Sequence, residues 1–388
     1  MTLSVRKECG RRLIGIDMLR GIAAMGVVIC HATQAVRVMN GGAANFGQLK
    51  TFILLPAMYG FSGVYLFFVI SGFCIHLRWA RARAQGRSDA SIDFIPFWKR
   101  RIRRLYPAYL AALVLFLSFG YYRGTLKVTA FLSWDIILHL LMLHNVTPKT
   151  LYSINGVFWT LAIEEQLYLA YFLLVWLRTR FGWSVTLLTC VAARVFWFGL
   201  RSIAYRQLKW DFVFTGSAAA NWWIWALGAI SVEAMMGVIV LPSWCRSRRV
   251  LVAALTAAAV LVYLDFFVLW FYDSKLHGLA LLLGQPLWGL GFFILVNIVS
   301  WHEPRWQALK DTWIIAALSI LGLISYSLYL THEIVVMPMR HRAILSTVLS
   351  IPTAWVFFQL FERPFLSQPV QNAASELSVA QPLRIEQA

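Results

Sequence analysis

The chain is laid out in apolar runs of about 20 residues, each long enough to cross the roughly 30 Å hydrocarbon core of a bilayer as a helix. Shorter polar stretches separate them. Ten runs stand out, at about 13–35, 52–77, 105–122, 157–177, 182–199, 221–241, 250–271, 276–300, 312–332 and 343–361. A further stretch, 131–144, is short and carries Asp135 and His139, so it is expected to lie in the interface or to re-enter without crossing. The first run follows Arg6, Lys7, Arg11 and Arg12 as a signal peptide would. Asp17 and Arg20 interrupt it, however, and no small-x-small cleavage site closes it, so it is expected as a mature span. The pattern predicts an all-α polytopic membrane protein: a bundle of about ten transmembrane helices within 1–365, then a polar tail, 366–388, expected to be flexible.

Composition narrows the class. With 60% hydrophobic and 13% charged residues in 388, an ordinary soluble enzyme and a disordered chain are both excluded. The net charge of +18 is spread over many loops, which argues against a nucleic-acid-binding face. With the N-terminus inside, 22 Lys and Arg fall in inner segments and 11 in outer loops, a bias that puts both termini in the cytoplasm. The five cysteines have neither disulfide-framework nor metal-ligand spacing, and no nucleotide-binding, zinc-protease or serine-hydrolase motif is present. No metal is expected.

Ionisable groups inside spans are costly, so each is a candidate functional residue. The first run carries Asp17, Arg20 and His31. Eleven helical steps bring His31 to within about 20° of Arg20, so both look toward one interior, separated by about 16 Å along the axis. Cys30, beside His31, points about 100° away. The fourth run carries Glu164 and Glu165, about 100° apart, so one can face a given site while the other needs its own partner, such as Arg194. Counted from an outer boundary near Val157, Glu164 lies about 10 Å deep. The ninth run closes with Ser325, Tyr326, Tyr329 and His332 at helical spacing. Depth counting then sets His31, Glu164 and His332 toward the outside, and Arg20, Ser71 and the cluster Arg100, Arg101, Arg103 and Arg104 toward the inside. An imidazole with a carboxylate suits hydroxyl activation, and several guanidinium groups suit a phosphate-bearing ligand. For that cluster, loop topology and contact with anionic membrane lipids is the simpler alternative.

Six blocks carry a family resemblance: IDMLRGIAAMGVVICH (Ile16 to His31), YLFFVISGFCI (Tyr65 to Ile75), FWKRRIRRLYPAY (Phe97 to Tyr109), LHNVTPKTLYSINGVFWTLAIEEQLYL (Leu143 to Leu169), ISYSLYLTHEIV (Ile324 to Val335) and FERPF (Phe361 to Phe365). In this order they resemble the membrane-bound acyltransferase family 3, whose members O-acylate sugars and glycans. The resemblance implies an enzyme of the bacterial inner membrane, with acyl-CoA as co-substrate and a glycan or glycolipid hydroxyl, such as that of an exopolysaccharide, as acceptor. It maps the first-helix arginine and histidine onto Arg20 and His31, the basic motif onto Arg101 and Arg104, and the acid of the fourth helix onto Glu164. Joined to the residue reading, this makes His31, Glu164 and Arg20 the catalytic set, with Glu164 orienting the His31 ring. Arg100, Arg101, Arg104, Ser71 and Gly72 are expected along the acyl-CoA path, and His332, His144, Asn145, Trp159 and Tyr329 around the acceptor. Direct transfer with His31 as base and a covalent acyl-His31 intermediate both fit. The second run offers no cation for a second carboxylate, which favours acetyl. The alternative from another class is a transporter or flippase of a glycan or lipid-linked sugar, for which inverted repeats and matched broken helices would be the signature; neither is found in the sequence.

Overall fold

A computed structural model describes residues 12–33, 49–87, 92–126, 128–265, 274–339 and 341–366. Arg6, Lys7 and Arg11 and the polar tail beyond residue 366 lie outside the described residues, as does Cys9. Within them every regular element is helical: α1 (Ile14–Ala32), α2 (Leu49–Met58), α3 (Gly63–Ala84), α4 (Phe94–Tyr122), α5 (Ala130–Leu140), α6 (Pro148–Leu151), α7 (Trp159–Ile203), α8 (Ala218–Met235), α9 (Arg248–Leu264), α10 (Ser274–Trp301), α11 (Glu303–Ala308), α12 (Trp313–Leu323), α13 (Ser325–Val336) and α14 (Ala343–Phe357). Thr129 and Ser217 begin α5 and α8 by accepting the amide N–H of Leu132 and of Ala220, each at 3.2 Å.

Six helices among the described residues are long and apolar enough to cross a membrane, or seven if α12 and α13, bent by 77°, form one broken span. The difference from ten expected runs has visible causes. The runs at 157–177 and 182–199 are two helices that meet at a kink at Gly182, where φ is 80°, and are counted together as α7; α8, at 18 residues, carries Asn221 and Glu233, and the 17 residues of α9 stop where the 250–271 run leaves the described residues. The 131–144 run forms the 11-residue α5, too short to cross, with Asp135 and His139 buried.

The centre of the bundle is where α3 meets α8. A Cβ on Gly72 would overlap the Trp225 carbonyl, and one on Gly228 the Val69 carbonyl. Such small-residue contacts let helix backbones approach closely where lipid removes the usual hydrophobic drive. Gly72 is therefore a packing residue between α3 and α8. Gly72→Ala is expected to cost about 1–3 kcal/mol through overpacking, checked as a lower Tm of the purified protein in detergent.

One polar network ties α3, α7 and α8 together. His76, fully buried, places Nδ1 3.1 Å from the Tyr171 hydroxyl and Nε2 3.0 Å from Glu233 Oε1. Arg178 and Trp183 donate to Glu233 Oε2 at 2.7 and 2.9 Å. Arg194 does not serve Glu165. Its guanidinium donates to the carbonyls of Leu282 and Ala220 and, at 3.0 Å, to Gln285 Oε1, so it closes α7 against α8 and α10. The outward faces of α4 and α7 present Val114, Leu188 and Phe196, the apolar exterior that lipid contact requires.

Candidate active site

A cavity of about 120 Å³ opens between α1, α3, α4, α7 and α13. Its polar wall is Arg20 from α1, Ser71 and Cys74 from α3, Arg101 and Arg104 from α4, Thr160, Glu164 and Tyr168 from α7, Ser325, Tyr326 and Tyr329 from α13, and Glu362 from the turn that follows α14. Phe67, Phe68, Ile70 and Leu105 are among its apolar lining. Arg101 and Arg104 reach it because residues three apart share a helix face. Arg100, turned about 100° from Arg101, is exposed and stands outside it. Arg100 therefore does not share the cavity with Arg101 and Arg104.

Inside the cavity, Glu164 Oε1 accepts from Ser71 Oγ at 2.6 Å and from the Tyr168 hydroxyl. Ser71 in turn accepts from Trp225 Nε1 at 3.1 Å. Arg20 Nη1 lies 3.9 Å from Asp17 Oδ1 and Nη2 3.6 Å from Cys74 Sγ, and Asp17 is also paired with Arg12. Glu362 accepts from Ser327.

The histidine lies elsewhere. His31 Nδ1 is 2.9 Å from His332 Nε2 and 3.6 Å from Glu333 Oε1. The two rings are stacked with centroids 5.1 Å apart. Glu164 therefore does not orient His31; the carboxylate beside it is that of Glu333. Glu164, expected toward the outside, and Ser71, expected toward the inside, are in direct contact at 2.6 Å.

Tyr329 is the link between the two regions. It lines the cavity, its hydroxyl stands 2.9 Å from Thr160 Oγ1, and its ring lies 6.0 Å from that of His332. Cys30 turns to the Met58 carbonyl at 3.5 Å, away from this cluster. Of the neighbouring acids, Glu164 faces the cavity, and both oxygens of buried Glu165 lack a hydrogen-bond partner among the described residues.

The residues expected around the acceptor separate. Tyr329 lines the cavity, but His332 is fully buried behind His31. His144 is buried in a stack on His139 with centroids 3.9 Å apart. Asn145 is buried too, donating to the Gly216 carbonyl at 2.8 Å and accepting from Gln166 at 2.7 Å. Both hold the segment ahead of α7 in place. Trp159 packs at Gly216 and stands outside the cavity wall. Glu333, Glu362 and Tyr168 were missed. Glu333 follows His332 directly in the sequence, and Glu362 sits in the FERPF block, but neither offers a local signal for its partner.

His31, His332 and Glu333 present three donor atoms within 4.8 Å of one another, a set that a divalent ion could accept. The 2.9 Å between the ring nitrogens is a hydrogen-bonding distance.

A family model described as an acyltransferase domain matches residues 13–361. The O-acetyltransferase OatA of Staphylococcus aureus is 30% identical over 179 residues, which are 42% of this chain and 25% of that protein. The peptidoglycan O-acetyltransferase OatA of Listeria monocytogenes is 30% identical over 178 residues, 42% of this chain and 24% of that one. The chain thus covers only about a quarter of the length of these curated relatives. No solved structure matches it.

Proposed function

Because the chain belongs to the acyltransferase-domain family, we propose that this multi-pass membrane enzyme moves an acetyl group from cytoplasmic acetyl-CoA to a hydroxyl of a glycan outside the bacterial inner membrane. Peptidoglycan is the acceptor class suggested by the name of the Listeria monocytogenes relative. In this reading ten helices cross with both termini inside, in line with the Lys and Arg bias.

The observation that carries the proposal is a basic cavity joined through Tyr329 to an imidazole pair. Arg20, Arg101 and Arg104 outnumber the lining carboxylates Glu164 and Glu362, an excess that a phosphate-bearing donor would neutralise. Glu164 is held by Ser71 and Tyr168, and the Arg101 guanidinium lies over the Phe97 and Tyr168 rings. The thin arm of the donor would then bring its thioester toward Tyr329 and His31. There His31 takes the hydroxyl proton as the acceptor oxygen attacks the thioester carbon; the C–O bond forms, the C–S bond breaks, and the proton passes to the leaving thiolate. General-base help of this kind is worth about 10²–10⁴-fold.

The test is transfer of labelled acetyl from acetyl-CoA to a glycan acceptor by the purified protein in lipid; no transfer under any acceptor or acyl donor overturns the proposal. Charge reversal at Arg101 and Arg104 is expected to raise the KM for acetyl-CoA by about tenfold or more, since hydrogen bonds to a charged group contribute about 1.5–3 kcal/mol each. Acceptor preference should stay the same. An unchanged KM would return both residues to loop topology.

A further inference from the structure

Hydrogen-bond accounting around His31 identifies which of its nitrogens is available. His332 Nδ1 lies 2.9 Å from the Tyr329 carbonyl and 3.1 Å from that of Leu328. Carbonyl oxygens only accept, so His332 Nδ1 carries a proton, and the Nε2 of the neutral ring is a lone pair. His31 Nδ1, 2.9 Å from that lone pair, must then donate to it. Neutral His31 is left with its own lone pair on Nε2, the nitrogen turned away from the pair.

Resting on the assignment of His31 as the base, we propose that His332 and Glu333 are positioning residues. His332 locks His31 in the Nδ1–H tautomer, so that Nε2 faces the hydroxyl. Glu333 is the counter-charge for the imidazolium that forms when the proton arrives. A fixed tautomer is what a base needs, since the wrong one presents an N–H where a lone pair is required.

The surroundings favour this role over acceptor binding. The His332 ring is fully buried, whereas the His31 side chain keeps 23% of its surface exposed. Glu333 Oε1 stands 3.6 Å from His31 Nδ1, close enough to respond to charge on the ring, and Oε2 accepts from the Gly156 amide at 3.0 Å. A Cβ on Gly156 would come within 2.7 Å of Glu333 Oε1. The Asn155-Gly156 turn ahead of α7 therefore accepts this carboxylate only because residue 156 lacks a side chain.

Nitrogen NMR of the full-length protein, labelled with 15N-histidine and held in lipid nanodiscs, reads the tautomer directly. Wild type is expected to show the His31 proton on Nδ1 and none on Nε2 in the neutral ring. His332→Ala should release His31 into a mixture of tautomers and lower kcat by about 10- to 100-fold, the order of loss when the partner orienting a metal-bound histidine is removed, with both KM values unchanged. His332→Gln, whose side-chain oxygen can accept from His31 Nδ1, should restore most of the tautomer and of kcat. Glu333→Gln, which still accepts from Gly156, should lower kcat and leave the tautomer alone.

A wild-type His31 protonated on Nε2 would overturn the proposal, as would an undiminished kcat in folded His332→Ala. So would stoichiometric metal in the purified protein whose chelation abolishes transfer. The NMR measurement needs no turnover. It can therefore fail while acyl transfer stands, and full activity of His31→Ala would refute the assignment of the base without touching the tautomer.

Discussion

His31→Ala is expected to reduce kcat for acetyl transfer by about 10²–10⁴-fold, the span of general-base contributions, while the protein folds and binds acetyl-CoA as before. The expectation follows from position. His31 lies at the end of α1, its side chain partly exposed, and its removal takes nothing from the cavity wall where Arg20, Arg101 and Arg104 gather. Single-turnover transfer compared with acetyl-CoA binding on the same preparation separates chemistry from binding. Loss of binding together with activity would mean that His31 supports the donor site. A variant that still transfers at the wild-type rate would remove His31 from the mechanism.

The second large effect lies far from that chemistry. Glu233 is fully buried and takes hydrogen bonds from His76, Arg178 and Trp183, so Glu233→Ala strands a guanidinium that has only partial access to the surface. Breaking a buried charge pair by removing one partner costs about 3–5 kcal/mol. The expected result is a sharp drop in folded yield and in Tm, with kcat of the surviving folded fraction near wild type because Glu233 lies outside the cavity wall. Glu233→Gln keeps an acceptor and should lose much less. Equal kcat loss in both variants at unchanged Tm would instead place Glu233 in the reaction.

These two residues show where the sequence is a good guide and where it is not. Arg20 and His31 lie on one continuous helix, so helical geometry relates them without knowledge of any other element, and both prove to look into the bundle. Glu233 and Glu164 are each an acid in an apolar run, yet one joins three helices and the other lines the cavity. The local sequence around them does not tell these fates apart, because the difference lies in what α3 and α7 bring to them. Arg100 and Arg101 are neighbours with the same chemistry, and only the rotation of α4 against the bundle separates them.

The His31 partners mark the same boundary. His332 is 301 residues away, and Glu333 reaches His31 because α13 packs beside α1 and the turn at Gly156 leaves room for its carboxylate. Glu164 and Ser71, expected at opposite depths, meet at 2.6 Å, because distance along one run carries no information on how neighbouring helices are offset along their axes.

The medium, and the rarity of charge within it, are legible in the sequence alone. The transfer of an apolar run into lipid is a property of that run alone, so length and hydropathy report it directly, and each ionisable exception is visible where it stands. Which exceptions meet is a property of the folded bundle. Pairing depends on helix rotation, on depth and on close approaches such as Gly72 against Trp225, and these are set jointly by segments hundreds of residues apart that no single stretch of chain encodes.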